Sequence, residues 1–316
     1  MNEIKMISAL PRVLVLLASR NGAPWIQAQL DSIINQRGVV VSIVVQDDCS
    51  SDQTCEIVES KYCIGPHAVV RLIRNSTPTG SAGGNFKKLF REIEFDSFAY
   101  IALADQDDLW LPNKLELAVR ALSTSNAKGY SAAVEAFWPD GKEGVLSQVA
   151  TVRGADFLFE GAGQGCSFVI PKETFAKVQD FCRNNVVVVN QFHYHDWMIY
   201  LLVRAWGEQW IFDPVPGMRY RQHAGNEIGA RGSLNSVLRR LKLLRDGWYR
   251  VQVSCALKVY ALAGGGDRIV GRFSDSFAAP DSVRRRLYLM FFSLIHSRRR
   301  LGDRCALLGF SLLGWL

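Results

Sequence analysis

The sequence predicts an α/β fold: a mixed, mostly parallel sheet flanked by helices, followed by a basic helical C-terminal segment. Three observations predict it. Through about residue 104, short apolar runs alternate with segments of helical periodicity, the pattern of buried parallel strands joined by crossover helices. Beyond that point the order becomes irregular, which predicts antiparallel strands extending the sheet. Charge is also divided, because residues 1–231 hold 22 basic and 25 acidic side chains while 232–316 hold 15 Lys plus Arg against 5 Asp. The predicted division is therefore a mildly acidic domain over 1–231 and a basic, amphipathic helical region over 232–316.

Residues 13–18 (VLVLLA) are a continuous apolar run of strand length. A turn at 19–22 (SRNG) follows, and Pro24 then marks a helix start, with Ile26, Leu30, Ile33 and Ile34 recurring at helical spacing. The cycle repeats as a strand over 39–45, a turn over 46–51 and a helix over 52–60 with Cys55, Ile57 and Val58 inward. Strands over 68–73 and 98–104 come next, separated by a loop with Gly80, Gly83 and Gly84 and a short helix over 85–93. In the second half, 130–137, 164–170 and 209–212 read as strands, and 172–181 and 196–205 as helices.

The 316 residues, 48% hydrophobic and 21% charged, exclude disorder and disulfide-stabilised miniproteins. The seven cysteines form no C-x-x-C pair and read as buried thiols in a reducing compartment. The N-terminus runs from Glu3 and Lys5 into a strand without a leader-like apolar region, so nothing marks the chain for secretion. The longest apolar stretches, 287–295 and 305–316, are too short to span a bilayer. They alternate with arginine triplets at 284–286 and 298–300, a combination suited to an anionic membrane surface. A helical subdomain with solvated arginines, or a homodimer through the same surface, are the competing readings. No nucleic-acid-binding motif is present.

In open α/β sheets, ligands bind beyond the carboxyl ends of the strands. Two of the three loops there are rich in carboxylates: Asp47, Asp48 and Asp52 after the second strand, and Asp105, Asp107 and Asp108 after the fourth. Asp105 and Asp107 at D-x-D spacing suit a hard divalent cation that bridges phosphates. An EF-hand is excluded by Trp110 at the position that requires glycine. Phosphate-loop NTPases, dinucleotide dehydrogenases and G-x-S-x-G hydrolases are excluded because their motifs follow none of the strands. The pattern points to a metal-assisted enzyme acting on a nucleoside diphosphate. Helix capping is the competing account of Asp47, Asp48, Asp108 and Asp196.

Five ordered motifs carry a resemblance: residues 17–22 (LASRNG), 47–54 (DDCSSDQT), 104–114 (ADQDDLWLPNK), 195–197 (HDW) and 220–223 (YRQH). Together they resemble the family-2 glycosyltransferases of the Rossmann-like GT-A fold, over about residues 10–230. The last three most resemble bacterial rhamnosyltransferases of surface-polysaccharide (O-antigen) assembly. The resemblance implies that Ala18, Arg20, Asn21, Asp48, Asp105 and Arg221 bind the nucleotide sugar, with Asp48 accepting from the base. Asp107, Asp105 and His223 would hold Mg²⁺ or Mn²⁺, and Asp196 would be the catalytic base. Arg20 stands where the family often has Tyr, and Cys49 where Gly is common.

The implied reaction is inverting, metal-dependent transfer of L-rhamnose from dTDP-L-rhamnose to a glycan or lipid-linked acceptor, at the cytoplasmic face of the plasma membrane. It needs a base for the acceptor hydroxyl and an electrophile for the departing diphosphate. A nucleotidyltransferase would use similar carboxylates, with a Gly-rich basic loop after its first strand. A non-catalytic sugar-nucleotide or membrane-binding module would need no base at Asp196.

Overall fold

The computed structural model of the protein describes residues 10–65, 69–223 and 245–316. They fall into two compact units that interleave along the chain. The first holds residues up to Gln148 together with Gly163–Val186 and Gln209–His223, and the second holds Val149–Ala162, Val187–Glu208 and the described residues after His223. The boundary expected at 231 lies outside the described residues.

The first unit opens with β1 (Arg12–Ser19), α1 (Ile26–Ile34), β2 (Val40–Asp47), α2 (Thr54–Tyr62), β3 (Val70–Arg74), α3 (Ala82–Glu92) and β4 (Tyr100–Asp105). After β5 (Leu109–Trp110) and α4 (Lys114–Ser123) come β6 (Gly129–Ala132), β7 (Val134–Phe137) and β8 (Glu143–Leu146). The unit continues with β9 (Val169–Pro171), α5 (Lys172–Asn184), β10 (Trp210–Asp213) and β11 (Met218–Arg221). A seven-stranded sheet runs β10-β6-β9-β4-β1-β2-β3. β1 is parallel to β2 from Arg12↔Val40 to Ser19↔Asp47 and to β4 from Val13↔Tyr100 to Ala18↔Asp105. This central register brings the carboxyl ends of β1, β2 and β4 level. β9 runs antiparallel to its neighbours β4 and β6, which is the expected extension of a parallel start.

Both faces of β1 are covered, as its unbroken apolar run requires. Val13, Val15 and Leu17 pack with Ile26, Leu30 and Ile33 of α1 and with Leu115, Ala118 and Leu122 of α4. Leu14 and Leu16, which alternate with them, are equally buried. Elsewhere in the unit, Phe90 of α3 meets Phe175 of α5 edge-on at 5.5 Å.

Three expected elements differ. The run 130–137 is two strands in two sheets, with Ala133 between them still donating its N–H to the Asp213 carbonyl of β10 at 2.9 Å. β7 then joins a four-stranded sheet, β5-β11-β7-β8. The stretch 164–170 begins as a 3₁₀ turn, Gly165–Ser167, with the Ser167 hydroxyl bonded to the Gln164 carbonyl at 2.7 Å, and only then becomes β9. α3 starts at Ala82 rather than 85, since Ser81 caps it by accepting from Gly84 N at 3.0 Å.

In the second unit, a 3₁₀ turn Asp156–Leu158 accompanies α7 (His195–Ala205), α8 (Trp248–Leu262), α9 (Arg268–Ala278), α10 (Val283–His296) and α11 (Leu301–Leu312). The short α6 (Val186–Gln191) bridges the unit boundary in sequence. Phe273 of α9 stacks on Phe292 of α10 at 4.4 Å, and Phe159 packs against both. The helical C-terminal region is as predicted.

The arginine triplets are not a solvated pair of clusters, however. Arg299 is buried and pairs with Asp156 at 2.9 Å, while its main-chain N–H donates to Glu160 at 2.6 Å. Arg298 lies 3.4 Å from Glu160. Arg285 is buried and donates to the Leu316 carbonyl at 2.9 Å, and Arg286 pairs with Asp281. Of the six, Arg284 and Arg300 are exposed. Among the described residues no helix is long and apolar enough to cross a membrane. All seven cysteines are free, but just Cys166, Cys182 and Cys255 are buried, and Cys305 is exposed.

Candidate active site

The loop after β1 is held by its own donors. Four consecutive main-chain N–H groups each end on a side chain: Arg20 on Gln106 Oε1 at 2.9 Å, Asn21 on Ser50 Oγ at 2.8 Å, Gly22 on Thr54 Oγ1 at 2.8 Å and Ala23 on Asp52 Oδ2 at 3.1 Å. Asn21 adopts a left-handed φ of 50° and its Oδ1 accepts from Ser51 N at 2.8 Å. Ala18, in register with Gln46 on one side and Asp105 on the other, forms the floor between the two acidic loops.

Asp47 and Asp48 fold the second loop, and neither caps α2, whose N-cap is Gln53. Asp47 is buried and accepts from Ser19 Oγ at 3.1 Å and from Ser50 N at 2.8 Å. Cys49 follows with φ of 60°, a left-handed conformation that glycine adopts without strain. Asp48 Oδ1 accepts from Asn75 Nδ2 at 2.8 Å and Thr79 N at 2.7 Å, and Oδ2 from the Thr79 hydroxyl at 2.9 Å. Arg20 reaches to 3.7 Å of the same Oδ2 with its side chain half exposed. Asn75 and Thr79 were not singled out by the sequence; they lie 27 and 31 residues from Asp48, so no local spacing joins them.

At the end of β4 the carboxylates take different environments. Asp105 is half-buried, and the Asp107 main-chain carbonyl accepts from Arg221 Nε at 2.8 Å. His223 Nε2 stands 2.6 Å from Asp107 Oδ2, and the imidazole stacks on Trp25 with centroids 4.5 Å apart. β11 therefore delivers Arg221, its last residue, and His223, two residues beyond it, to the acidic turn. Asp108 does not cap a helix: it lies beneath the turn, 1% exposed, accepting from Arg221 N at 3.1 Å. Burial, then the charges of Asp105 and Asp107, push its carboxyl well above the usual range. Burial likewise raises the Cys166 thiol and lowers Lys114 to about 7, with the Lys114 ammonium 3.5 Å above the Trp110 ring.

Asp105, Asp108 and Cys166 offer ligand atoms within 4.8 Å of one another. Burial raises both Asp108 and Cys166, which works against the deprotonated forms that a hard cation needs. Asp107 Oδ2 and His223 Nε2, 2.6 Å apart, pair a hard oxygen with an imidazole, donor types that suit Mg²⁺ or Mn²⁺, while the Asp105 carboxylate groups with Asp108 and Cys166.

Asp196 belongs to the second unit. It is the second residue of α7, whose N-cap is Tyr194. Its Oδ1 accepts from Trp197 N at 2.7 Å. The preceding loop is pinned, with His193 N donating to the buried Gln252 at 2.8 Å and Trp197 Nε1 to the Phe157 carbonyl at 2.7 Å. His193, Tyr194 and Trp248 form a half-buried aromatic group beside it, with centroids 4.5–5.9 Å apart.

Residues 14–182 match the model of glycosyl transferase family 2. The chain is also 36% identical over 238 residues, 75% of its length, to the dTDP-rhamnosyl transferase RfbG of Shigella flexneri, of which it covers 82%. The chain belongs to glycosyltransferase family 2. The transferase is further similar to the UDP-Glc:alpha-D-GlcNAc-diphosphoundecaprenol beta-1,3-glucosyltransferase WfgD of Escherichia coli, at 29% over 36% of this chain and 42% of that one. Among solved structures, S. aureus TarS 1-349 in complex with UDP-GlcNAc gives a TM-score of 0.57 at 16% identity, over 96% of this chain and 80% of that one. The mannosyltransferase PcManGT from Pyrobaculum calidifontis, solved with GDP-Man and Mn²⁺, gives 0.53 at 16%, over 97% and 87%. The fold is that of GT-A glycosyltransferases, and the transferase is an enzyme of that class.

Proposed function

We propose that the transferase moves L-rhamnose, with inversion, from dTDP-L-rhamnose to a lipid-linked glycan during O-antigen or related surface-polysaccharide synthesis. The observation that carries this reading is the 36% identity, over three quarters of the chain, to a dTDP-rhamnosyl transferase. Ala18, Arg20, Asn21 and Asp48 bind the nucleoside, Asp48 being held by Asn75 and Thr79 as the fixed acceptor for the base. Asp105 and Arg221 bind the deoxyribose and diphosphate. Asp107, Asp105 and His223 would hold the divalent cation, which when bound offsets the negative charge of the diphosphate. Asp196 accepts the proton of the acceptor hydroxyl as its oxygen bonds to the anomeric carbon, while the bond from that carbon to the diphosphate oxygen breaks and dTDP leaves. Arg221 and His223 oppose the charge that builds on the leaving group. The test is turnover of dTDP-L-rhamnose, UDP-glucose and GDP-mannose by purified protein with and without Mn²⁺ or Mg²⁺; release of nucleoside diphosphate from another donor in preference to the first refutes the donor assignment.

The reading includes peripheral attachment to the inner face of the plasma membrane. Support comes from α10, where Val283, Leu287, Phe291 and Ile295 recur four residues apart and are 76%, 44%, 58% and 55% exposed. Arg284 at its start and Arg300 beyond its end are the exposed cations. This apolar stripe, rather than the paired arginines, is the surface that enters an anionic leaflet. Phe292, on the opposite side of α10, is buried and stacks on Phe273. Full-length protein should co-sediment with phosphatidylglycerol vesicles and lose binding on Phe291→Asp. Equal sedimentation of the variant, or a wild-type dimer that ignores vesicles, refutes this.

A further inference from the structure

We propose that Gln106, between the two carboxylates of the D-x-D turn, is a positioning residue for the donor: its amide clamps the main chain of Arg20 and so aims the Arg20 guanidinium beside Asp48. The inference rests on the reading that Arg20 and Asp48 contact the nucleoside.

The amide makes two opposed bonds to one residue. Arg20 N donates to Gln106 Oε1 at 2.9 Å, and Gln106 Nε2 donates to the Arg20 carbonyl at 2.9 Å. Main-chain pairing of β1 with β4 ends at Ala18↔Asp105. One residue farther on, the Gln106 side chain takes over the donor and acceptor of a strand neighbour. Side chains of the β2 loop hold the N–H groups of Asn21, Gly22 and Ala23, whereas Gln106 reaches in from the β4 loop. It is thus a tie between the nucleoside loop and the acidic turn.

The fit is close on the other side of the amide. A Cβ at Gly22 would lie 2.2 Å from Gln106 Oε1 and 2.6 Å from its Cδ, so any side chain at residue 22 displaces the amide. Arg20 itself is 50% exposed in its side chain and sits 3.7 Å from Asp48 Oδ2. A long exposed side chain with four rotatable bonds is aimed only as well as its main chain is fixed, and ordering it on binding costs affinity.

The substitution Gln106→Leu removes both bonds at similar volume. Isothermal titration with dTDP and steady-state kinetics with dTDP-L-rhamnose should show Kd and KM rising about tenfold, with kcat changed less than about threefold. Gly22→Ala should reproduce the loss by displacing the amide without altering it, and it serves if Gln106→Leu fails to fold by circular dichroism. The effect should vanish in an Arg20→Ala background, where there is no guanidinium to aim. A Gln106→Leu variant with wild-type Kd, or a loss of equal size with and without Arg20, overturns the inference alone. If the wild type does not bind dTDP, the nucleoside reading falls and the inference with it.

Discussion

Asp156→Ala should destabilise the second unit severely. Asp156 is fully buried, and its carboxylate accepts from the Tyr200 hydroxyl at 2.8 Å, Arg299 at 2.9 Å, Arg204 at 3.2 Å and its neighbour Phe157 N at 3.0 Å. Arg299 is buried as well, so removing the carboxylate strands a guanidinium in the core. Loss of one partner from a buried pair costs about 3–5 kcal/mol, and at about 2–4 °C per kcal/mol the melting temperature should fall by roughly 6–20 °C. Glu160, 3.5 Å from Arg299 Nε, keeps the loss toward the lower end. Thermal unfolding followed by circular dichroism measures it. The pairing also predicts that Asp156→Leu with Arg299→Met is less destabilised than the sum of the single changes, because the stranded charge is gone. A fall of under about 2 °C for Asp156→Ala, or additivity of the pair, refutes the reasoning.

Asp107→Ala should abolish transfer while leaving the melting temperature near wild type, and excess EDTA should silence the wild type; full activity in EDTA contradicts the cation reading. Asp196→Asn keeps shape but cannot take a proton, so kcat should fall by about a hundredfold or more with the Kd for dTDP unchanged. A variant that keeps its turnover shows that another group is the base. Lys114, lowered to about 7 by burial, binds a proton in the unfolded chain but not in the folded one between pH 7 and its ordinary value near 10.5. Wild-type stability should therefore rise with pH in that window, by up to about 1.4 kcal/mol per pH unit relative to Lys114→Met. Parallel urea-unfolding curves for the two proteins at pH 7 and 9 would contradict it.

Features encoded locally were legible. The unbroken apolar run of β1 specified a strand buried on both faces, and parallel register brings the acidic ends of β2 and β4 level on either side of it. Features made by distant pairings were not. Nothing near Arg299 announces that Asp156, 143 residues away, will draw it into the core, so a basic triplet read as surface. Asp48 looked like a cap or a ligand, while its settled environment depends on Asn75 and Thr79 across a loop. The run 130–137 has the composition of one strand, and nothing in its own residues marks the break at Ala133. The five motifs still bring four of their members together in the first unit, since Arg20, Asp48, Asp107 and His223 each touch another group of that site. Gln106, which ties two of these loops, lay unread between the aspartates that flank it.

The central claim is tested most directly by incubating the purified protein with dTDP-L-rhamnose, Mn²⁺ and membrane-extracted lipid-linked glycan, and following dTDP release together with the anomeric configuration of the transferred sugar. The account predicts stoichiometric dTDP and rhamnosylated glycan of inverted configuration, both lost in Asp196→Asn. Transfer with retained configuration, or turnover that ignores dTDP-L-rhamnose while consuming another nucleotide sugar, would contradict it.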